Sequence, residues 1–184
     1  MIKQKKTNKE KRIEAILDAG LALALASGLK STTMEAIAKE ANISKATLYS
    51  YFPDKQAIFA SITARLFVEL KQLVEISLEK NCSLGDKIAL ALASKNKVVF
   101  SLFITSSHKE EIISKKSKFA KKEVAQFENY LQQKIASILS EAGHSEPQKY
   151  AQILIACSEG ISSRATNVSQ IGPAIRLVVN KLLD

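Results

Sequence analysis

Residues Thr32 to Lys55 read TTMEAIAKEANISKATLYSYFPDK, two short helical patterns separated by one tight turn. Thr32 and Glu35 stand in the Thr-x-x-Glu spacing of a capping box, so a helix is expected to begin there and run to about Ala41, burying Ile37 and Ala38. Asn42 and Ile43 complete a three-residue turn with Ser44, and asparagine tolerates the left-handed backbone that such a turn commonly needs. Ser44 caps a third helix that Pro53 ends after Phe52, and Asp54 caps the next.

A helix as short as Lys45 to Phe52 is marginal alone in water, so its neighbours must hold it. Leu48 and Phe52, four residues apart, supply the held face and leave Lys45, Ala46, Thr47, Tyr49, Ser50 and Tyr51 at or around the opposite surface. That set suits a DNA groove. Hydroxyls and phenols donate to phosphate oxygens, lysine donates to guanine acceptors, and the Ala46 methyl can meet a thymine methyl. Thr33 and the first N–H groups of the preceding helix, with Lys55 at the start of the following one, flank this reader as phosphate anchors. Glu35 admits two readings, capping-box partner or acceptor for cytosine N4, of which the cap is favoured. Against DNA binding stands a blander account, three ordinary core helices with a tyrosine-rich outer face, which leaves the caps, turn and anchors as coincidence.

Working outward, a first helix is expected from about Lys9 to Ser27, with Ile13, Ile16, Leu17, Gly20, Leu21 and Ala24 on one face and Gly28 as a left-handed stop. Before it, Lys3, Lys5, Lys6, Lys9, Lys11 and Arg12 face the single acid Glu10; this arm reaches DNA or is simply a charged tail. Downstream a long helix, Lys55 to Lys80, carries Phe59, Ile62, Leu66, Leu70 and Leu73 on one stripe. Further helices are expected near 84–95, 97–106 and 109–117, then from Phe119 to Ala142 with a stop at Gly143. A Ser145–Gln148 capping box with Pro147 in the first turn opens the next, to about Ala165, and a last helix starts near Pro173. Nowhere does period-two alternation persist, so the fold class is all-α.

Composition agrees with a folded, DNA-seeking chain. Of 184 residues 46% are hydrophobic and 24% charged, and 27 Lys and Arg against 18 Asp and Glu give a net charge of +9, which favours a polyanionic partner. The run Ala19 to Ala26 after a basic start imitates a secretory signal, but Glu10, Glu14 and Asp18 interrupt the pattern. No apolar stretch approaches the roughly 18 residues needed to span a bilayer, so a cytoplasmic protein without membrane contact is expected. Cys82 and Cys157 lack metal or CxxC spacing and read as buried apolar fillers, with a thiol sensor as the alternative. No nucleophile, base and orienting group converge, and no phosphate loop appears, so no catalytic residue, metal or cofactor is expected.

The Thr32 to Lys55 run, with Ile16-Leu-Asp-Ala19, Gly28 and Ile58-Phe59, resembles the TetR/AcrR family of bacterial transcriptional regulators. The resemblance implies a DNA-binding domain at 1–60 with its helix-turn-helix at 32–51, joined through the long helix to a regulatory and dimerisation domain at 61–184. It puts Thr33, Thr47, Tyr49, Tyr51 and Lys55 where the family binds phosphates, and Lys45, Ala46 and Ser50 where it reads bases. Departures are Asn42 and Ala46 at positions where glycine is frequent, and Ala24 for a large aromatic, with Leu25 as a possible substitute in the packing.

Beyond Phe59 only the architecture is similar. By position, Ile153, Leu154, Cys157, Gly160 and Ile161, with Ile175, Leu177, Val178 and Leu182, correspond to the family's four-helix dimer interface, core packing being the alternative. Phe100, Phe103 and Ile104, from the most apolar stretch of the middle region, with Phe127, are candidates to line a ligand pocket; plain core is the competing reading for each. Lysines 115, 116, 118, 121 and 122 alternate with glutamates and read as a solvated face. The expected protein is thus a homodimeric repressor released from a palindromic operator in double-stranded DNA by a small apolar or amphipathic effector. Its rivals are control by a protein partner, and a helical scaffold without operator binding.

Overall fold

A computed structural model describes residues 7–104, 106–108 and 121–184. They form eight helices and no strand: α1 (Asn8–Ser27), α2 (Met34–Glu40), α3 (Lys45–Tyr51), α4 (Lys55–Leu78), α5 (Leu84–Phe103), α6 (Lys121–Glu141), α7 (Pro147–Arg164) and α8 (Val168–Leu183). Lys3, Lys5 and Lys6 of the basic arm, the helix expected at 109–117, and lysines 115, 116 and 118 lie outside the described residues. The described chain divides into two units, residues 7–65 with 106–108 and 121–124, and residues 66–104 with 125–184.

In the first unit Ile16, Ile37, Leu48 and Ile58 have no exposed surface and, with Leu17, Phe52, Phe59 and Ile62, join α1, α2, α3 and α4 in one core. Gly20 lets α1 pack closely on α4: a Cβ there would stand 3.2 Å from Ile58 Cγ2 and 3.3 Å from Ile62 Cδ1. Thr7 and Glu10 form a capping box that starts α1 just ahead of the expected Lys9. Gly28 ends that helix with φ +86°. Asn42 takes φ +53° in the turn, as its side-chain type suggested. Asp54 Oδ1 accepts the Ala57 N–H at 2.8 Å, capping α4. Ser106 donates to the Leu25 carbonyl at 2.9 Å, tying the segment after α5 to α1.

The second unit has its own core, centred on Leu70, Val74, Ile88, Leu92, Leu131, Ile135, Leu139, Leu154, Ile171 and Ile175. Three expectations fail here. The two helices expected at 84–95 and 97–106 are one, α5, and the polar residues at the expected junction find partners on α7: Lys95 Nζ lies 3.1 Å from Glu159 Oε1, and Asn96 Nδ2 donates to Ser158 Oγ at 3.1 Å. The Ser145–Gln148 box does not form; Glu146 precedes α7 without a side-chain cap bond, and Pro147 is its first residue. The last helix begins at Val168, not Pro173, under a capping box of Asn167 and Gln170. Pro173 therefore sits inside α8, where it has no N–H to donate to the Ser169 carbonyl and its ring crowds that same carbonyl.

Glu75 braces α4 to α6 by accepting from Tyr130 Oη at 2.6 Å and from Lys134 Nζ at 2.8 Å, while Phe67 stacks on Phe127 with ring centroids 4.6 Å apart. Lys134 and Tyr130 hold the Glu75 carboxyl below its ordinary 4.5. Burial, and then the neighbouring carboxylate, push the Tyr130 phenol up, so it stays a donor. A depressed carboxyl pKa contributes stability that is present above the unfolded-state value and is lost as pH falls through the folded one. Wild-type protein should therefore lose stability more steeply than Glu75→Gln as pH drops from about 5 to about 3, measured by urea unfolding. In the first unit, Leu48→Ala should lower unfolding free energy by about 2–5 kcal/mol, since it empties a fully buried site.

Candidate nucleic-acid interface

Helix α3 is seven residues long, and its geometry follows from which side chains it buries. Leu48 is fully buried and Phe52 nearly so; Lys45, Ala46, Tyr49 and Ser50 are exposed; Thr47 and Tyr51 are half-buried, with Tyr51 packed on the core. Ser44 caps the helix by accepting the Thr47 N–H at 3.0 Å, and its hydroxyl also shares a 2.8 Å bond with Thr47 Oγ1. Ser50 donates to the Thr47 carbonyl at 2.7 Å. Tyr49, 45% exposed, stands beside Lys45, whose ammonium lies 6.0 Å from the ring centroid.

The cap of α2 departs from expectation. Thr33, not Thr32, is its N-cap and accepts the Ala36 N–H at 3.1 Å, whereas Thr32 is buried and donates to the Gly28 carbonyl at 2.8 Å. With Thr33 as the cap, the position that would complete a box is Ala36, which has no carboxylate. Glu35 instead bonds the Lys45 ammonium across the turn. The favoured capping role for Glu35 is thereby replaced by an ion pair between α2 and α3.

Lys55, expected to reach a phosphate, has its ammonium turned inward toward the Leu29 and Thr32 carbonyls at 2.8 and 2.9 Å, with Lys30 O at 3.4 Å. It closes the α1–α2 loop onto the start of α4, and that loop carries Thr33. The pairing was not visible beforehand because its acceptors are main-chain atoms more than twenty positions away.

Candidate residues in the second unit are dispersed. Phe100 and Ile104 line a groove of about 250 Å³ with Ser101, Thr166, Asn167 and Val168. Phe103 is buried, and Phe127 belongs to the core against Phe67, so neither joins them there. Of the expected interface residues, Leu154 and Ile175 are buried in this chain's own core and present no surface to a partner. Ile153, Gly160 and Leu182 are exposed, as is Leu177; Cys157, Ile161 and Val178 are half-buried. A Cβ at Gly160 would meet nothing within 4 Å. Cys82 is exposed and Cys157 half-buried, so neither is the buried filler expected. The cluster of Lys95, Asn96, Ser158 and Glu159 went unnoticed in the sequence, although Lys95 and Asn96 interrupt the apolar stripe through Ile88, Leu92 and Val99. No helix among the described residues is long and apolar enough to cross a membrane.

A capped, two-helix reader with a hydroxyl-rich outer face defines a helix-turn-helix protein. Residues 16–62 match the sequence model of the family described as bacterial regulatory proteins, tetR family. Over 81 residues the chain is 33% identical to the HTH-type transcriptional regulator YhgD of Bacillus subtilis, covering 44% of this chain and 42% of that protein. Over 59 residues it is 46% identical to the HTH-type transcriptional repressor KstR of Rhodococcus jostii, covering 32% of this chain and 27% of that one. The chain thus spans less than half the length of these curated relatives. The crystal structure of a TetR-like transcriptional regulator from Rhodococcus sp. RHA1 shares the fold, with a TM-score of 0.74 over 97% of this chain and 98% of that one at 19% identity. Residues 16–62 thus carry the sequence pattern of the tetR family of bacterial regulatory proteins, and the chain shares the fold of a TetR-like regulator.

The internal role of Lys55 has a consequence for stability. Lys55→Met keeps the alkyl stem but leaves the loop carbonyls without their donor, and should cost about 1–3 kcal/mol in chemical unfolding as well as weakening any DNA complex. Unchanged stability would return Lys55 to a purely phosphate-binding part.

Proposed function

We propose that this chain is a DNA-binding transcriptional regulator that works as a homodimer and is released from a palindromic operator by a small apolar or amphipathic effector. One observation carries the reading: α3 buries Leu48 completely while turning Lys45, Ala46, Tyr49 and Ser50 outward together. In this reading Lys45, Ala46 and Ser50 meet base edges, and Thr33, Thr47, Tyr49 and Tyr51 meet phosphates. A palindromic site follows from two-fold symmetry, since the two reading helices must enter the major groove about 34–36 Å apart or at a multiple of that distance.

The dimer surface is drawn from the exposed Ile153, Gly160, Leu177 and Leu182 with the half-buried Cys157, Ile161 and Val178. The groove at Phe100 and Ile104 is the candidate effector site; by linkage, a molecule bound there must weaken DNA binding by the factor by which DNA weakens its own binding. Repression as the direction of control rests on the repressor KstR among the relatives.

Fluorescence anisotropy on duplexes of varied sequence tests the assignment of roles. Tyr49→Phe and Tyr51→Phe should weaken binding by a similar factor, about threefold to tenfold, on every duplex, because a phosphate contact carries no sequence information. Lys45→Ala and Ser50→Ala should instead change which duplex is preferred. A uniform loss from all four would contradict the division.

A further inference from the structure

The ion pair between Glu35 and Lys45 is unexpected at a surface meant for a polyanion, since a carboxylate there repels phosphates. Folding does not account for it: the two side chains are 60% and 57% exposed, and exposed pairs contribute little to stability. Capping does not account for it either, because Thr33 caps α2 and Glu35 has no part in a box. What the pair does accomplish is local. Lys45 is the first residue of α3, where a cation is disfavoured by the helix's positive end, and Glu35 supplies the opposing charge. The carboxylate and the Tyr49 ring together restrict an ammonium that would otherwise sweep a wide arc on its four-carbon stem.

We propose that Glu35 is a specificity-determining residue: its carboxylate holds the Lys45 ammonium at the reading edge of α3, as a donor aimed at a base rather than at the nearest phosphate. The inference rests on the DNA-binding reading above and adds to it a positioning residue on α2. An ammonium has three donors, so engaging one with Glu35 leaves two for a base acceptor such as guanine O6 and N7. Mutual hydrogen bonding lowers the carboxyl pKa and raises that of the ammonium, so the pair stays charged at neutral pH. Without Glu35 the lysine becomes a mobile cation that settles on phosphates, gaining affinity for any DNA and losing selectivity.

The test uses the full-length protein and the duplex it selects from a random-sequence pool. Dissociation constants are measured for wild type, Glu35→Gln, Lys45→Ala and the double variant on that duplex, its single-base variants and a mixed-sequence duplex. Glu35→Gln should bind mixed-sequence DNA several-fold more tightly, as loss of any carboxylate facing phosphates would produce. The diagnostic quantity is discrimination: it should fall about tenfold at one base position, and Glu35→Gln should cause no further fall once Lys45 is alanine. Discrimination equal to wild type in Glu35→Gln, or a fall that persists without Lys45, overturns the proposal while leaving DNA binding intact. Wild-type protein that prefers no duplex overturns both.

Discussion

The burial of Leu48 sets the terms for everything on the outer face of the N-terminal unit. A seven-residue helix closes too few hydrogen bonds to offset the entropy of ordering it, so α3 exists because one leucine is enclosed with Ile16, Ile37 and Ile58. Once Leu48 and Phe52 point inward, a period of 3.6 residues fixes the azimuth of every other side chain on the helix. Lys45, Ala46, Tyr49 and Ser50 have no freedom to lie elsewhere. The same core orders the helix ends, with Thr33, Ser44 and Asp54 each accepting one N–H that would otherwise lack a partner.

Charge is arranged on this scaffold with less freedom than net composition suggests. Lys55 spends its ammonium on loop carbonyls, and Lys45 shares its own with Glu35. The surface that would meet DNA is therefore built from placed donors more than from a field of free cations. Such an arrangement favours reading over mere adhesion.

Local chemistry was legible in the sequence; distant partnership was not. Asn42, Ser44 and Gly28 could be read because each acts within a few residues of itself. Thr32 and Thr33 could not be separated, since adjacent threonines offer the same hydroxyl and only burial distinguishes them. The partners of Lys95 and Asn96, Glu159 and Ser158, lie more than sixty positions later, which no window of local sequence contains. In α7 and α8 exposed apolar residues stand directly beside buried ones, so pattern alone did not reveal that Leu154 and Ile175 belong inside while Ile153 and Leu177 stay out. The groove was half legible for the same reason: Phe100 and Ile104 line it, but its other wall comes from Thr166, Asn167 and Val168.

The most direct measurement of the central claim is dimethyl sulfate footprinting of the selected duplex, because the reagent reports guanine N7 in the major groove separately from adenine N3 in the minor groove. The account predicts two symmetric patches of guanine N7 protected by the protein, centred about 10 base pairs apart or at a multiple of that spacing. Protection confined to adenine N3, or no protected base at saturating protein, would mean that α3 does not occupy the groove for which its exposed side chains are arranged.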